Sequence, residues 1–425
     1  MKKVLILTYY WPPAGGSGVQ RWLKFVKYFR NFGIEPVIYT VQNPSYPIVD
    51  NSLEKDIPKE IEVLKQPIFE PNNVLNFFGK KKTESAGFLN SNPTFFGRII
   101  QYIRANYFIP DARKFWIHPS VKYLKKYLLV NKIDTIITTG PPHSVHLIGL
   151  KLKKELNCKW IADFRDPWTE IDYFHQLPLT KKAKEKHFLL ETEVLKKADK
   201  VLVVGDTMKI NFSKINNNVV TITNGYDSEF EDEKVALDSN FTLTHIGLMN
   251  ADRNPKMLWE AISELVTENR GFAKDFKLKL IGKVDVTVIA GIDKFELQEN
   301  VELINYVSHN KVIEYQKKSQ ALLLIVNNVP SAKGIITGKI FEYLIAKRPI
   351  LAIAPTNGDL ASILRKTNAG TVIAFEDKVM LKQKILDLYS QYKKRELKVN
   401  SKNIEQYHRK QLTKKVSELI YQLSE

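Results

Sequence analysis

Short apolar runs alternate along this chain with stretches whose apolar residues recur every three or four positions. Residues 3–8 make a run of strand length. Residues 19–32 follow, with Trp22, Phe25, Val26 and Phe29 on one helical face. Asn31-Phe32-Gly33 stops that helix, and residues 35–41 supply the next strand. Further strand-sized runs fall at 135–138, 159–163 and 200–204. The second half repeats the theme at 241–246, 277–281, 301–303, 321–326, 350–353 and 371–374. Strand–helix alternation of this kind predicts parallel sheets with helices on both faces. Two such series predict an α/β chain of two Rossmann-like domains, and no short-period repeat points to a solenoid or propeller.

The boundary between the series is marked by turn residues and by charge. Thr223-Asn224-Gly225-Tyr226 is followed at once by the acidic stretch 227–233. Net charge is +13 over residues 1–200, −5 over 201–300 and +10 over 301–425. The expected division is therefore an amino-terminal domain at 1–205, a linker at 206–240, a carboxyl-terminal domain at 241–385 and terminal helices at 386–425. A length of 425 residues suits two domains, each large enough to bury its own core.

Composition narrows the class. Hydrophobic residues at 44% and charged residues at 26% are ordinary globular usage, which excludes disorder and collagen-like folds. The formal net charge of +18 implies an anionic partner without choosing among nucleic acid, a membrane surface and a phosphorylated ligand. The single cysteine, Cys158, excludes an internal disulfide framework and a multi-cysteine zinc site, and fits a reducing compartment. The apolar run at 4–7 is too short for a signal peptide, and Tyr9-Tyr10-Trp11-Pro12-Pro13 interrupts it. No uncharged apolar stretch approaches the ~18 to 20 residues that span a bilayer. The expectation is a soluble, cytoplasmic protein, with peripheral attachment at the inner face of the plasma membrane as the further option. Residues 73–127 mix many aromatics with Lys80-Lys81-Lys82, Arg98, Arg104, Arg113 and Lys114. That mixture reads either as helices covering the sheet or as an insertion facing a membrane or acceptor.

Candidate chemistry sits at strand ends. Pro12-Pro13-Ala14-Gly15-Gly16-Ser17-Gly18 follows the first strand and opens the first helix, where backbone N–H groups approach an anion closely. It is neither a dinucleotide fingerprint, since position 21 is Arg, nor a P-loop. Gly140-Pro141-Pro142-His143 places His143 or His146 over the same edge. In Asp163-Phe164-Arg165-Asp166-Pro167-Trp168 two carboxylates flank one guanidinium, an arrangement that can orient a sugar or phosphate or close on itself as an ion pair. The spacing of Asp163 and Asp166 is not that of a metal motif, and no metal or cofactor is expected. In the second half, Arg253 precedes a helix beginning near Lys256. Glu342 lies in an otherwise apolar helical stretch, where a carboxylate needs hydrogen-bond donors such as ribose hydroxyls. Lys339, about one turn earlier, can meet a phosphate or pair with Glu342.

Taken together, four motifs resemble the retaining glycosyltransferases of family 4, over nearly the whole length. They are Gly15-Gly16-Ser17-Gly18, Ala162-Asp163-Phe164-Arg165-Asp166-Pro167-Trp168, Thr223-Asn224-Gly225-Tyr226-Asp227 and Gly338-Lys339-Ile340-Phe341-Glu342-Tyr343-Leu344. The resemblance implies the glycosyltransferase B fold, two Rossmann-like domains facing each other across a cleft, and a hexosyltransferase activity. It implies that Glu342 binds the donor's ribose hydroxyls, that the glycine loop approaches the diphosphate and that His143 contacts the donor sugar. Donor-binding candidates are thus Gly15, Gly16, Ser17, Gly18, Arg253, Lys339 and Glu342. Catalytic candidates are His143, Asp163, Arg165 and Asp166. The chain departs from the family pattern at Gly334, where a Glu is common, and at Leu248, where an Arg is frequent. By the same resemblance, the last part of the terminal helices crosses back to the first domain.

The expected partners are a nucleotide-sugar donor, a glycan or lipid-linked acceptor and an anionic membrane surface, with metal-independent, retaining transfer in polysaccharide or glycolipid synthesis. Competing readings are a nucleotide-sugar epimerase of the same fold and a non-catalytic binder of anionic glycan or lipid. Nucleic acid is not an expected partner, because no recognised module is present.

Overall fold

The computed structural model describes residues 1–70, 95–171, 174–227 and 235–423. Seven of its strands lie in the amino-terminal half: β1 (Lys2–Leu7), β2 (Ile34–Val41), β3 (Glu62–Gln66), β4 (Thr135–Gly140), β5 (Lys159–Phe164), β6 (Lys200–Val203) and β7 (Val219–Thr221). They form one sheet in the order β3-β2-β1-β4-β5-β6-β7, and every pairing is parallel. Alternation along β1 shows why both faces are covered. Leu5 and Leu7 enter one core with Trp116, Leu124, Val145, Ile148 and Trp160, while Val4 and Ile6 enter another with Trp22, Phe25 and Phe29.

The helices of this half are α1 (Ser17–Phe29), α2 (Phe95–Tyr107), α3 (Ile117–Asn131), α4 (Ser144–Leu156), α5 (Lys181–Lys197) and α6 (Asp206–Phe212). The edge strands β3 and β7 have no counterpart in the sequence reading, because one is half polar (Glu-Val-Leu-Lys-Gln) and the other has three residues. The helix anticipated at 19–32 starts two residues earlier and tightens into a 3-10 turn over Arg30–Phe32, closed by Gly33 in the left-handed region.

A second parallel sheet contains β8 (Phe241–Ile246), β9 (Phe276–Ile281), β10 (Val301–Ile304), β11 (Ala321–Ile325), β12 (Ile350–Ile353) and β13 (Gly370–Ile373), in the order β10-β9-β8-β11-β12-β13. Its helices are α7 (Lys256–Glu268), α8 (Arg270–Asp275), α9 (Val286–Lys294), α10 (His309–Lys318), α11 (Lys339–Ile345), α12 (Asp359–Thr367) and α13 (Lys378–Lys393). Leu243, Leu278, Leu280, Leu323, Ile325, Leu351 and Ile353 share one core with Leu258, Ile262, Leu381 and Ile385 from α7 and α13. In both sheets the strand order reverses beside the first strand, between β1 and β4 and between β8 and β11. Crevices at the carboxyl ends of such strands are where parallel sheets bind ligands.

The chain divides into two units, Met1–Asp227 with Arg409–Glu425, and Ser228–His408. Part of the stretch anticipated as a linker therefore belongs to the first unit, because residues 206–221 form α6 and β7. Of the anticipated terminal helices, residues up to 408 stay with the second unit. The final helix, α14 (Arg409–Gln422), joins the first, where Leu412, Val416 and Ile420 complete the core of α1.

Candidate functional site

In the second unit the site residues gather at the reversal point. Two glycines shape it. Gly247, after β8, has φ +110°, and Gly282, after β9, has φ +118° with its backbone pressed against Gly247. A Cβ at Gly247 would come within 2.7 Å of the Lys339 ammonium, so the absence of a side chain there is what lets Lys339 lie over the strand end. Burial, together with the nearby Arg253 guanidinium, pulls the Lys339 amine down to about 7, with Glu342 acting in the opposite sense. Lys339 and Arg253 thus form a cationic pair. The alternative of an ion pair between Lys339 and Glu342 is not formed among the described residues; Glu342 Oε2 accepts from Gln316 on α10 at 3.2 Å instead.

Arg253 is held by one bond, Nη1 donating to the Leu248 carbonyl at 3.1 Å, while its Nε is buried without a partner among the described residues. The same is true of His245 Nε2, Asn250 Oδ1 and Asn327 Oδ1. His245 donates through Nδ1 to the Leu323 carbonyl at 3.2 Å, and burial keeps its imidazole neutral. Buried polar atoms are nearly always paired, so several unpaired ones at one strand edge mark a place built for an outside partner.

In the first unit, the loops after β1, β4 and β5 are tied together by Arg165. Its Nη1 donates to the Gly18 carbonyl at 2.5 Å, its Nε to the Gly140 carbonyl at 3.2 Å and its Nη2 to the Pro141 carbonyl. A Cβ at Gly18 would meet the guanidinium at 2.6 Å. Gly15 is already used internally, its N–H donating to the Ile48 carbonyl at 2.9 Å, and Gly16 (φ +87°) caps α1. The side chain of Ser17 lies outside the described residues.

Asp163 is fully buried, and its two oxygens take bonds from Arg21, Trp22 Nε1 (2.7 Å) and Thr139 Oγ1 (2.9 Å). The expected pair of carboxylates around one guanidinium is therefore not what forms. Asp163 pairs with Arg21, Arg165 binds backbone carbonyls, and Asp166 is left exposed. The physical reason is position along the strand: Asp163 precedes the end of β5 and points into the layer under α1, whereas Asp166 lies beyond it.

His143 stacks on Trp168 with ring centroids 4.7 Å apart and planes within 4°. Ser144, beside it, is fixed by its N–H and hydroxyl donating to Asp111 at 2.9 and 2.8 Å. His146 lies behind, at the end of a buried chain of hydrogen bonds. The Trp160 indole can only donate, and it donates to Thr138 Oγ1 at 2.9 Å. Thr138 Oγ1 and His146 Nδ1 share a hydrogen bond at 2.8 Å. Burial pushes the His146 imidazole down to about 3, and likewise keeps His143 neutral. His146 Nε2 and His143 Nδ1 both turn toward Gly140, at 2.5 and 3.2 Å from where its Cβ would stand.

The structure thus brings Gly15, Gly16, Gly18, His143, Asp163, Arg165 and Asp166 to one sheet edge in the first unit. It brings Arg253, Lys339 and Glu342 to the corresponding edge in the second. Sequence reasoning missed Arg21, Thr138, Trp160, Gln316, Asn250 and Asn327. Each lies in an apolar pattern or a loop with nothing at short range to single it out, and its role appears only through a partner distant in the chain. Among the described residues no group of three His, Cys, Asp or Glu side chains forms a metal cluster, and no helix is long and apolar enough to cross a membrane.

Residues 240–391 match the family model of glycosyl transferases group 1. Over the whole chain the fold is similar to sucrose-phosphate synthase from Thermosynechococcus elongatus (13% identity, covering 100% of this chain and 99% of that one, TM-score 0.62). It is also similar to HepE from Anabaena in complex with UDP and glucose (11% identity, 99% and 100% covered, TM-score 0.61). A third is the lipopolysaccharide outer core galactosyltransferase WaaB in its apo form (14% identity, 99% of each chain, TM-score 0.60). No curated protein matches the sequence. The chain has the two-domain glycosyltransferase B fold, and its second unit carries a glycosyl transferases group 1 domain. Together these support a glycosyltransferase.

Proposed function

We propose that the protein transfers a hexose from a nucleotide-sugar donor to a glycan or lipid-linked acceptor, with retention and without a metal, in cell-surface polysaccharide or glycolipid synthesis. The observation that carries this reading is the cationic pair Lys339–Arg253 beside Gly247, with the Glu342 carboxylate one turn along α11. A nucleoside diphosphate offers complementary groups: phosphates for the two cations and ribose hydroxyls for Glu342, held in place by Gln316. As the bond from the sugar carbon to the diphosphate oxygen breaks, negative charge grows on the leaving group. Fixed cations act where that charge forms, so they lower the barrier without participating covalently. The acceptor hydroxyl then bonds to the same carbon and its proton passes to the departing phosphate side.

In the first unit, His143 is the group assigned to the donor sugar, as a neutral hydrogen-bonding imidazole. Arg165 and Asp163 act as positioning residues, fixing the loops after β1, β4 and β5. The exposed Asp166 and the glycine loop, with the N-terminus of α1, lie at the same edge. HepE, whose complexes contain UDP and glucose, gives a precedent on this fold for such a ligand.

The test is incubation with a panel of nucleotide sugars, with and without lipid-linked acceptor. Acceptor-dependent release of nucleotide is the expected result. Acceptor-free sugar interconversion would instead indicate an epimerase, and neither outcome a binder. In calorimetry, Glu342→Ala is expected to weaken nucleotide-sugar binding by about tenfold or more, the scale of a lost charge-assisted hydrogen bond in a partly buried site. Unchanged affinity would overturn the ribose assignment.

A further inference from the structure

Helix α5 carries two polar side chains in the stripe that it turns toward the core. Its buried positions are Ala183, His187, Glu191, Val194 and Leu195, a spacing that puts all five on one face. His187 is 5% and Glu191 7% exposed, and no cation is paired with Glu191 among the described residues. A carboxylate is expensive to bury. Burial pushes that of Glu191 up, opposed by hydrogen bonds from Thr169 and Trp168.

Both side chains are directed at the loop after β5. Glu191 Oε1 accepts from the Trp168 N–H at 3.1 Å and from the Thr169 N–H at 3.2 Å, and Oε2 accepts from the Thr169 hydroxyl. The Trp168 indole can only donate, and it donates to His187 Nδ1 at 3.0 Å, so His187 stands there as a neutral imidazole. Burial pulls that imidazole down to about 4, with Asp111 acting in the opposite sense. Trp168 is thus fixed both at its backbone and at its ring nitrogen. Its face is the stack under His143, centroids 4.7 Å apart and planes within 4°. Among the described residues no hydrogen bond sets the rotation of the His143 ring, and its Nδ1 is buried without a partner. The other rings near it, His146 and Phe164, lie 5.9 and 6.1 Å away and are tilted by 31° and 32°.

We infer that His187 and Glu191 are positioning residues, which hold the Trp168 ring as the wall that sets the plane of the His143 imidazole. Asp111 fixes the backbone beside His143 through Ser144, so the ring torsion is what remains to be set, and a flat stack sets it. An apolar pair at 187 and 191 would fill the same stripe. It would leave the indole N–H and two backbone N–H groups without their acceptors, and the wall would lose its fixed plane. This deepens the reading of His143 as the group on the donor sugar. It rests on that reading for its effect on turnover, but not for its geometry.

The experiment is NMR of the full chain with isotope-labelled histidine and no ligand, with turnover measured alongside on the donor that the nucleotide-sugar panel identifies. In the native chain one histidine signal, assigned by its loss in His143→Gln, is expected to be shifted upfield by the ring current of the indole beneath it. His187→Phe and Glu191→Leu are expected to remove that shift and to lower turnover by about tenfold or more, the scale of a misplaced substrate contact. His187→Asn keeps an acceptor near the Nδ1 position, and the Glu191→Gln amide oxygen still accepts from both backbone N–H groups. These two variants are expected to retain shift and turnover, a pattern that lost stability alone does not produce. Where Glu191→Leu does not fold, His187→Phe decides, since it removes the indole bond alone. An unshifted His143 signal in the native chain, or a shift that survives His187→Phe, would overturn the proposal. A lost shift with unchanged turnover would support the positioning and remove His143 from the donor sugar. If no donor is turned over, the shift still decides.

Discussion

At the scale of single residues, the informative group is Lys339. Its amine is lowered to about 7 by burial and by Arg253, and the negative charge of an arriving diphosphate favours the ammonium against both. The sign follows directly. Below pH 7 the free protein already holds the ammonium, and binding needs no proton. Above pH 7 the free amine is largely neutral, so an anion must bring a proton with it. Affinity for a nucleoside diphosphate is therefore expected to fall as pH rises above about 7. Calorimetry near pH 8 in buffers of different ionisation enthalpy should show net proton uptake. Lys339→Met should abolish that uptake and weaken binding about tenfold or more, leaving Arg253 as the remaining cation. A pH-independent affinity in the native chain would show that Lys339 does not face the ligand.

At the scale of elements, the candidate groups sit at strand ends and the glycines there set their geometry. Gly247→Ala combines two penalties. An L-residue at φ +110° is strained, and the new methyl would displace the Lys339 side chain. A loss of about 1–2 kcal/mol in stability is expected from the backbone alone. The diagnostic outcome is that diphosphate affinity drops further than for alanine placed at an open glycine such as Gly338, where no atom lies within 4 Å. Equal effects would mean that Gly247 serves only the turn.

The central strands were legible in the sequence because they are buried on both faces and read as unbroken apolar runs. Glu342 and Lys339 were legible because a charge inside an apolar helix is conspicuous. The Trp160–Thr138–His146 chain was not, since it depends on β4 and β5 being adjacent, and neither was the division of labour among Asp163, Arg165 and Asp166. Three charges within four residues look like one cluster in the chain. The buried Arg21, 142 residues away, decides which of them is neutralised.

At the scale of the molecule, the first unit is assembled from two separate stretches of chain, and the junction is pinned from both directions. Asp227, its last residue before the crossing, accepts from Lys24 and Lys27 at 2.7 Å and from the Tyr28 hydroxyl at 2.7 Å. On the return, the Arg409 N–H donates to the Tyr226 carbonyl at 2.8 Å, and its guanidinium lies 5.9 Å from the Phe25 ring centre. Helix α14 then buries Val416 and Ile420 against the face of α1 that carries Trp22, Phe25 and Phe29. The carboxyl-terminal helix is thus part of the amino-terminal core, although some 180 residues of a different unit intervene between its start and Asp227. Ile420→Ala should accordingly destabilise the first unit by about 2–5 kcal/mol, the usual cost of emptying a fully buried aliphatic site. Amide exchange reads the location of that loss, because protection reports the stability of the cooperative unit to which each amide belongs. Exchange is expected to accelerate in β1, β2, β4 and β5, which share the core with α1, while β8, β9 and β11 keep their protection. Acceleration confined to β8, β9 and β11 would assign α14 to the wrong unit, and acceleration in both sheets alike would mean that the two units unfold as one.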